Sequence, residues 1–264
     1  LLGGLMKKLV NYIFLLLSLI SLVYITKEVI TFTKDILILR DHQAEATIRQ
    51  NKMLYSVVRV THLSYVMEPG QLVPEELTIS SATGFSIQYN PYSNISFVLS
   101  NDHFCRSISD SSVITLETFD MLLPGSANDY FYGEILYSDP KLDLCLIAAN
   151  GYIRPAEIAE YDYNVQPFEE IFIIGAPSGN FPIIIDTYIS TKERRSRVGF
   201  PELSKDGNDF LLISEEIFPG HSGSPVYNKG GEVIGVVFAA MPTYGGFAIS
   251  HRDIYKFIGN HNTL

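Results

Sequence analysis

Positive charge is scarce in this 264-residue chain: Lys and Arg number 19 against 29 Asp and Glu, a formal net charge of −10 at pH 7. Affinity for a phosphate backbone rests on clustered Lys and Arg, so the deficit argues against nucleic-acid binding. The one local basic run, Lys192, Arg194, Arg195 and Arg197, reads as a loop rather than a polyanion site. Cysteine is nearly absent, with only Cys105 and Cys145, and no His/Cys/Asp/Glu cluster is visible, so no metal site is expected. Alternating strand and helix patterns are missing as well. Short apolar segments separated by Gly, Pro, Asn and Asp instead argue for an all-β protein, long enough to bury a substantial core.

Long apolar runs are rare, and the single one is N-terminal. Leu9 to Ile25 carries no charge, follows Lys7 and Lys8, and is interrupted only by Asn11 and some Ser and Tyr. No small-x-small cleavage site precedes Lys27 and Glu28. Residues 1–26 therefore read as an uncleaved signal anchor, a transmembrane helix, with secretion after signal cleavage as the alternative. Basic residues before the span orient the rest of a single-pass membrane protein to the extracytoplasmic side. Residues 27–54, of mixed charge with Ile30, Ile36, Ile38 and Leu39, read as a solvated helical stalk.

The segment Phe218-Pro219-Gly220-His221-Ser222-Gly223-Ser224-Pro225-Val226 is what is conspicuously present. Glycines on either side of a serine let the backbone turn tightly enough to aim N–H groups at one point beside the Ser222 hydroxyl. A hydroxyl is a poor nucleophile near neutral pH and needs a base, usually oriented by a carboxylate. Among six histidines, His103 stands where the apolar run Phe97-Val98-Leu99 gives way to Ser100-Asn101-Asp102. His62 ends an early strand, His42 lies in a helix or linker, and His251 and His261 fall in the C-terminal tail. His221 is too near Ser222 in sequence for easy base geometry and reads as a solvent-exposed turn residue. Asp143 opens the apolar run Leu144-Cys145-Leu146-Ile147, where a buried carboxylate needs a partner that a histidine N–H would supply. Asp102 adjoins His103, but neighbouring residues rarely face one another, and it reads as a turn or capping acid.

The order His103, Asp143, Ser222 is that of the chymotrypsin arrangement. With Ser56-Val57-Val58-Arg59-Val60, Ala82-Thr83-Gly84-Phe85-Ser86-Ile87, Ile174-Gly175-Ala176-Pro177-Ser178-Gly179, Gly231-Glu232-Val233-Ile234-Gly235-Val236 and Gly246-Phe247-Ala248-Ile249, the chain resembles a trypsin-like serine peptidase over roughly residues 55 to 255. Its motifs are most similar to the HtrA-like and glutamyl-endopeptidase-like branches. HtrA-like enzymes usually carry asparagine and glycine where this chain has His221 and Ser224. The histidine that glutamyl endopeptidases place after the nucleophile is missing from Val237-Phe238-Ala239-Ala240.

The resemblance implies two six-stranded antiparallel β-barrels, a trypsin-like double barrel, over 55–259. Barrel 1 would span about 55–150 and barrel 2 about 167–250, with 153–166 crossing between them and a short helix over 252–258. A PDZ domain is not expected after residue 259. The implied activity is a serine endopeptidase acting on a protein or peptide substrate without a cofactor, through His103, Asp143 and Ser222, with Gly220 and Ser222 as oxyanion hole. A catalytically silent scaffold and an esterase using the same triad are the alternatives. Glu216 falls at the base of the primary pocket, favouring Lys or Arg, or else faces solvent beside a wall residue, Ile217, favouring small aliphatic side chains. Phe238, Ala239 and Ala240 would flank the substrate as an extended strand. Cys105 and Cys145 each stand two residues after a triad candidate, so a disulfide and two buried thiols both fit.

Overall fold

The computed structural model describes residues 49–66, 76–107, 113–119, 130–194, 209–241 and 245–260, together with Lys27, Lys34 and Thr47. The chain divides into two units, residues 1–48 and 49–264, and the second holds every strand among the described residues. The expected span over 9–25 lies outside the described residues. Among the described residues no helix is long and apolar enough to cross a membrane.

Two closed antiparallel barrels of six strands each make up the body of that unit. The first consists of β1 (Val57–Val66), β2 (Glu76–Asn90), β3 (Ile95–Ser100), β4 (Val113–Thr118), β5 (Phe131–Asp139) and β6 (Leu144–Asn150), closed in the order β1-β2-β3-β6-β5-β4. Alternate residues of a strand face opposite sides of a sheet, and β5 shows this period directly: Tyr132, Glu134, Leu136 and Ser138 face outward between half-buried neighbours. Val58, Val60, Val98, Ile114, Leu116, Cys145 and Ile147 fill the interior. β6 is almost continuously apolar because both of its faces are covered.

The second barrel follows a parallel bridge, β7 (Glu157–Ile158), which pairs with β12. Its strands are β8 (Glu170–Gly175), β9 (Ile183–Arg194), β10 (Asp209–Ile213), β11 (Pro225–Asn228), β12 (Glu232–Met241) and β13 (Gly245–Ser250). The order β11-β8-β9-β10-β13-β12 closes through β11–β12 pairing. Ile171, Ile173, Leu211, Ile213, Val226, Ile234 and Val237 pack its interior. The basic run expected as a loop is strand through Lys192 and Arg194, which pair with Leu211 and Asp209; Arg195 and Arg197 lie outside the described residues.

A third cluster joins the barrels, with Phe85, Leu99, Leu144 and Leu146 of the first against Ile174, Phe210, Tyr227 and Phe238 of the second. Fully burying side chains of this size contributes about 1.5–3 kcal/mol each, so the interface holds the two barrels together. Met53, from the helical segment 49–54, is also buried in this cluster, and its carbonyl accepts the Ser56 hydroxyl at 2.8 Å. Short helix α1 (Asp102–Cys105) caps β3, and α2 (His251–Asn260) follows β13.

Candidate active site

At the end of β3 the backbone leaves the sheet at Asn101, in extended conformation, and enters the four-residue α1. That step turns His103 toward the loop before β6. Asn101 Nδ2 donates to the Asp143 carbonyl at 2.9 Å, and the His103 backbone N–H donates to Asp143 Oδ1 at 2.9 Å. His103 Nδ1 then meets Asp143 Oδ2 at 2.9 Å and Oδ1 at 3.1 Å. Asp143 itself has a left-handed φ of 55°, a region where Asp is tolerated better than most residues. The turn before it is closed by Asp139 Oδ1, which accepts the Lys141 and Leu142 N–H groups at 2.9 and 3.2 Å. The Asp143 side chain is 7% exposed, so these bonds replace water for a carboxylate that could not be left unpartnered.

On its other side His103 Nε2 lies 3.0 Å from Ser222 Oγ. The structure thus brings His103, Asp143 and Ser222 into one hydrogen-bonded chain across the barrel interface. An imidazole so placed can take the hydroxyl proton while the carboxylate holds its other N–H. Asp102 turns away: its buried carboxylate pairs with Arg106 Nε at 2.5 Å and accepts from Ser138 Oγ, tying α1 to β5. Cys105 and Cys145 form a disulfide, which joins the histidine helix to the aspartate strand and resolves the two readings of the cysteines.

Barrel 2 presents Ser222 on a turn built from backbone contacts. Gly220 has φ of 99° and Gly223 of 83°, and a Cβ at either would fall 2.4 Å from the Ala176 carbonyl or 1.9 Å from the Thr83 carbonyl. Both positions therefore demand glycine for conformation and for space. The Ser222 carbonyl accepts from Thr83 N–H at 2.8 Å, and Gly223 N–H donates to Val237 at 2.8 Å. Pro219 carbonyl accepts Ser178 N–H at 2.8 Å, and Gly220 carbonyl accepts the Thr83 hydroxyl at 2.8 Å. A trans peptide sets its N–H opposite its carbonyl, so the Gly220 N–H points away from the 177–179 turn. Neither Gly220 nor Ser222 N–H has an acceptor among the described residues, although His221, Gly223 and Ser224 all donate.

His221 is a correction: it is 1% exposed, not a solvent-facing turn residue. Its Nδ1 approaches the Phe218 carbonyl at 3.2 Å, and burial pushes its pKa below the usual 6.5, partly opposed by that carbonyl. His62 lies within β1 rather than at its end, buried in barrel 1, with Nδ1 at 3.1 Å from Ser80 Oγ. His251 opens α2, also buried.

Of the pocket candidates, Glu216 is exposed and Ile217 is 6% exposed within the barrel-2 core, filling the space beside Gly246. Phe238 is buried and stacks on Phe210 with ring centroids 4.8 Å apart. Ala239 is half-buried and Ala240 exposed. Ala239, Ala240 and Met241 pair with β13 along one edge, while β11 and β7 pair only with earlier residues of β12.

Two residues that shape the site escaped the sequence reading. Thr83 Oγ1 bridges the Gly220 carbonyl and the Ala176 N–H, the latter at 2.9 Å. Arg59 pairs with Glu117 and donates to the Gly179 carbonyl at 2.6 Å, bracing the turn that holds Pro219. No local pattern marks a strand threonine or arginine for these contacts, whose partners lie 137 and 120 residues away.

A closed double barrel with a Ser-His-Asp chain at its seam defines the class, and comparison with known proteins agrees. The trypsin-like peptidase domain family model matches residues 82–236, and the chain belongs to that family. It is 25% identical over 169 residues to the "Probable periplasmic serine endoprotease DegP-like" of Pseudomonas putida (strain W619), covering 64% of this chain and 31% of that protein. It is 28% identical over 192 residues to "Serine protease HTRA1" of Xenopus tropicalis, covering 71% of this chain and 37% of the relative. The chain thus spans about a third of the length of the curated relatives it matches. The active form of the Rv3671c protease from M. tuberculosis superposes with a TM-score of 0.62 at 20% identity, over 82% of this chain and 85% of the other.

Proposed function

We propose that this protein is a serine endopeptidase that hydrolyses peptide bonds through His103, Asp143 and Ser222. The observation that carries the reading is the hydrogen-bonded chain from Asp143 Oδ2 through His103 to Ser222 Oγ, with steps of 2.9 and 3.0 Å. His103 Nε2 takes the Ser222 proton as Oγ attacks the scissile carbonyl carbon. The C–O double-bond electrons move onto the oxygen, which the Gly220 and Ser222 N–H groups receive. Collapse breaks the C–N bond, His103 returns the proton to the departing amine, and water repeats the sequence on the acyl-enzyme. The edge at Ala239–Met241, which pairs with β13 on one side only among the described residues, supports a peptide substrate, since an extended backbone could add there as a strand. A silent scaffold would have no use for two uncommitted N–H groups beside a hydrogen-bonded serine.

For the primary pocket, exposed Glu216 and buried Ile217 support small aliphatic residues over Lys or Arg. Residues 1–26 are proposed as a signal anchor, and the stalk expected over 27–54 is shortened to 27–48 because Met53 is buried between the barrels, leaving 49–259 as the peptidase domain on the extracytoplasmic side. The charge-free run 9–25 behind Lys7 and Lys8 supports that placement, as does the periplasmic name of the DegP-like relatives. Cleavage of a peptide library by wild type, lost in Ser222→Ala, is the test. Turnover of p-nitrophenyl acetate without any peptide cleavage would select the esterase, and no turnover of either would select the scaffold. Val or Ala before the scissile bond is expected, unchanged in Glu216→Gln; lost Lys/Arg cleavage in that variant would return Glu216 to the pocket.

A further inference from the structure

His221 forms the peptide link between the two N–H groups of the proposed oxyanion hole, yet its ring is buried beneath the turn. Nδ1 lies 3.2 Å from the Phe218 carbonyl and 3.3 Å from the Phe218 N–H, so either neutral tautomer keeps one contact there. Nε2 is buried and has no hydrogen-bond partner among the described residues. The ring sits over the end of β8: a Cβ on Gly175 would fall 2.9 Å from His221 Cδ2, 2.3 Å from Ser224 Oγ and 3.2 Å from Thr83 Oγ1. Gly175 leaves the space that the ring and the Ser224 hydroxyl occupy. Thr83, at the rim of that space, is also the residue that holds the Gly220 carbonyl.

Nδ1 meets the Phe218 peptide groups, and the space above Gly175 is shared by the ring with the Ser224 and Thr83 hydroxyls. The other histidine of the site, His103, lies against Ser222, with Nε2 3.0 Å from Oγ. Burial lowers the titration of His221, and the Phe218 carbonyl partly opposes it. A second proton would place an uncompensated charge in this space and leave Nε2–H without an acceptor.

We propose that His221 is a positioning residue: its neutral ring holds the Gly220 and Ser222 N–H groups in register, and its protonation releases them, giving hydrolysis an acid-side switch separate from His103. The proposal rests on Ser222 being the nucleophile. Burial moves the titration below the usual 6.5, so the switch lies on the acid side of the activity profile. The charged ring gains by reaching water, and its departure removes the packing over Gly175 and the Phe218 contacts that support the turn carrying both N–H groups.

The test is the pH profile of kcat/KM on a peptide substrate for wild type and His221→Asn, with near-UV circular dichroism recorded at each pH. Asn can keep a contact with the Phe218 peptide groups but does not titrate. Below the lowered titration of His221 the wild-type acid limb is expected to steepen to about a hundredfold loss per pH unit, against about tenfold for the variant. A wild-type limb of only tenfold per unit overturns the proposal whether or not the variant folds. So does a variant that keeps the steep limb, or activity loss that tracks loss of the circular dichroism signal. If wild type neither cleaves peptide nor reacts with a fluorophosphonate at any pH, the nucleophile reading fails and this inference with it. Labelling at neutral pH with a shallow limb overturns this inference alone.

Discussion

The two barrels contribute to the site by different means. Barrel 1 supplies side chains, His103 and Asp143, held by side-chain bonds and by the disulfide that ties their two segments. Barrel 2 supplies a backbone shape, the Gly220–Gly223 turn, held by main-chain bonds to Thr83, Ser178 and Val237. A side chain can be removed with the fold intact, whereas a backbone shape fails when any residue makes its φ or its space unattainable. His103, Asp143 and the Ser222 hydroxyl should therefore respond to mutation in chemistry, and the barrel-2 turn that carries Ser222 in chemistry and folding together.

The sharpest contrast comes from the reacting groups. Ser222→Ala and His103→Ala should each lower peptide turnover by about four or more orders of magnitude with the folded state retained. Asp143→Asn should approach the same loss, about 10⁴-fold, because the amide favours the wrong tautomer of His103. Asp102→Asn should leave turnover within about tenfold and lower stability by about 1–3 kcal/mol, the cost of leaving buried partners imperfectly paired. The reverse ranking of the two acids, in steady-state kinetics, would dissolve the division of labour within barrel 1.

Gly223→Ala sharpens the barrel-2 half, since its Cβ would fall 1.9 Å from the Thr83 carbonyl at a φ of 83°. Loss of folded protein is expected, read by thermal unfolding and expression. Thr83→Val is milder. It removes the hydroxyl between Gly220 and Ala176 and is expected to cost about 1–3 kcal/mol in stability and about tenfold in kcat, with KM little changed. A variant with full kcat would show that the hydroxyl does not set the turn.

The smallest effect is shared by both barrels. His62, His221 and His251 are buried, and desolvation lowers the pKa of each from 6.5. Below 6.5 the unfolded chain binds protons that the native chain refuses, so stability falls as pH drops toward the depressed native values and is steady above 6.5. Thermal melts between pH 8 and pH 5 check this; a melting temperature that rises as pH falls would contradict it.

The contrast also explains what the sequence made legible. Strand period, glycine-flanked Ser222, and a histidine and aspartate each beside an apolar run are local patterns, and the structure brings those three residues together. Thr83, Arg59 and the burial of His221 were not legible, because each depends on contacts closed across the barrels. His221 looked exposed because its neighbours are turn residues, while the space that takes its ring is made by Gly175, far away in sequence. The basic residues Lys192 and Arg194 looked like a loop because charge hides a strand whose pairing with β10 is itself nonlocal.

Stoichiometric reaction with a fluorophosphonate, mapped by peptide mass spectrometry, tests the central claim most directly. The triad predicts one adduct, on Ser222 Oγ, formed rapidly by wild type and slowed by at least about a thousandfold in His103→Ala. An adduct on another residue, or labelling of Ser222 at an unchanged rate without His103, would contradict it.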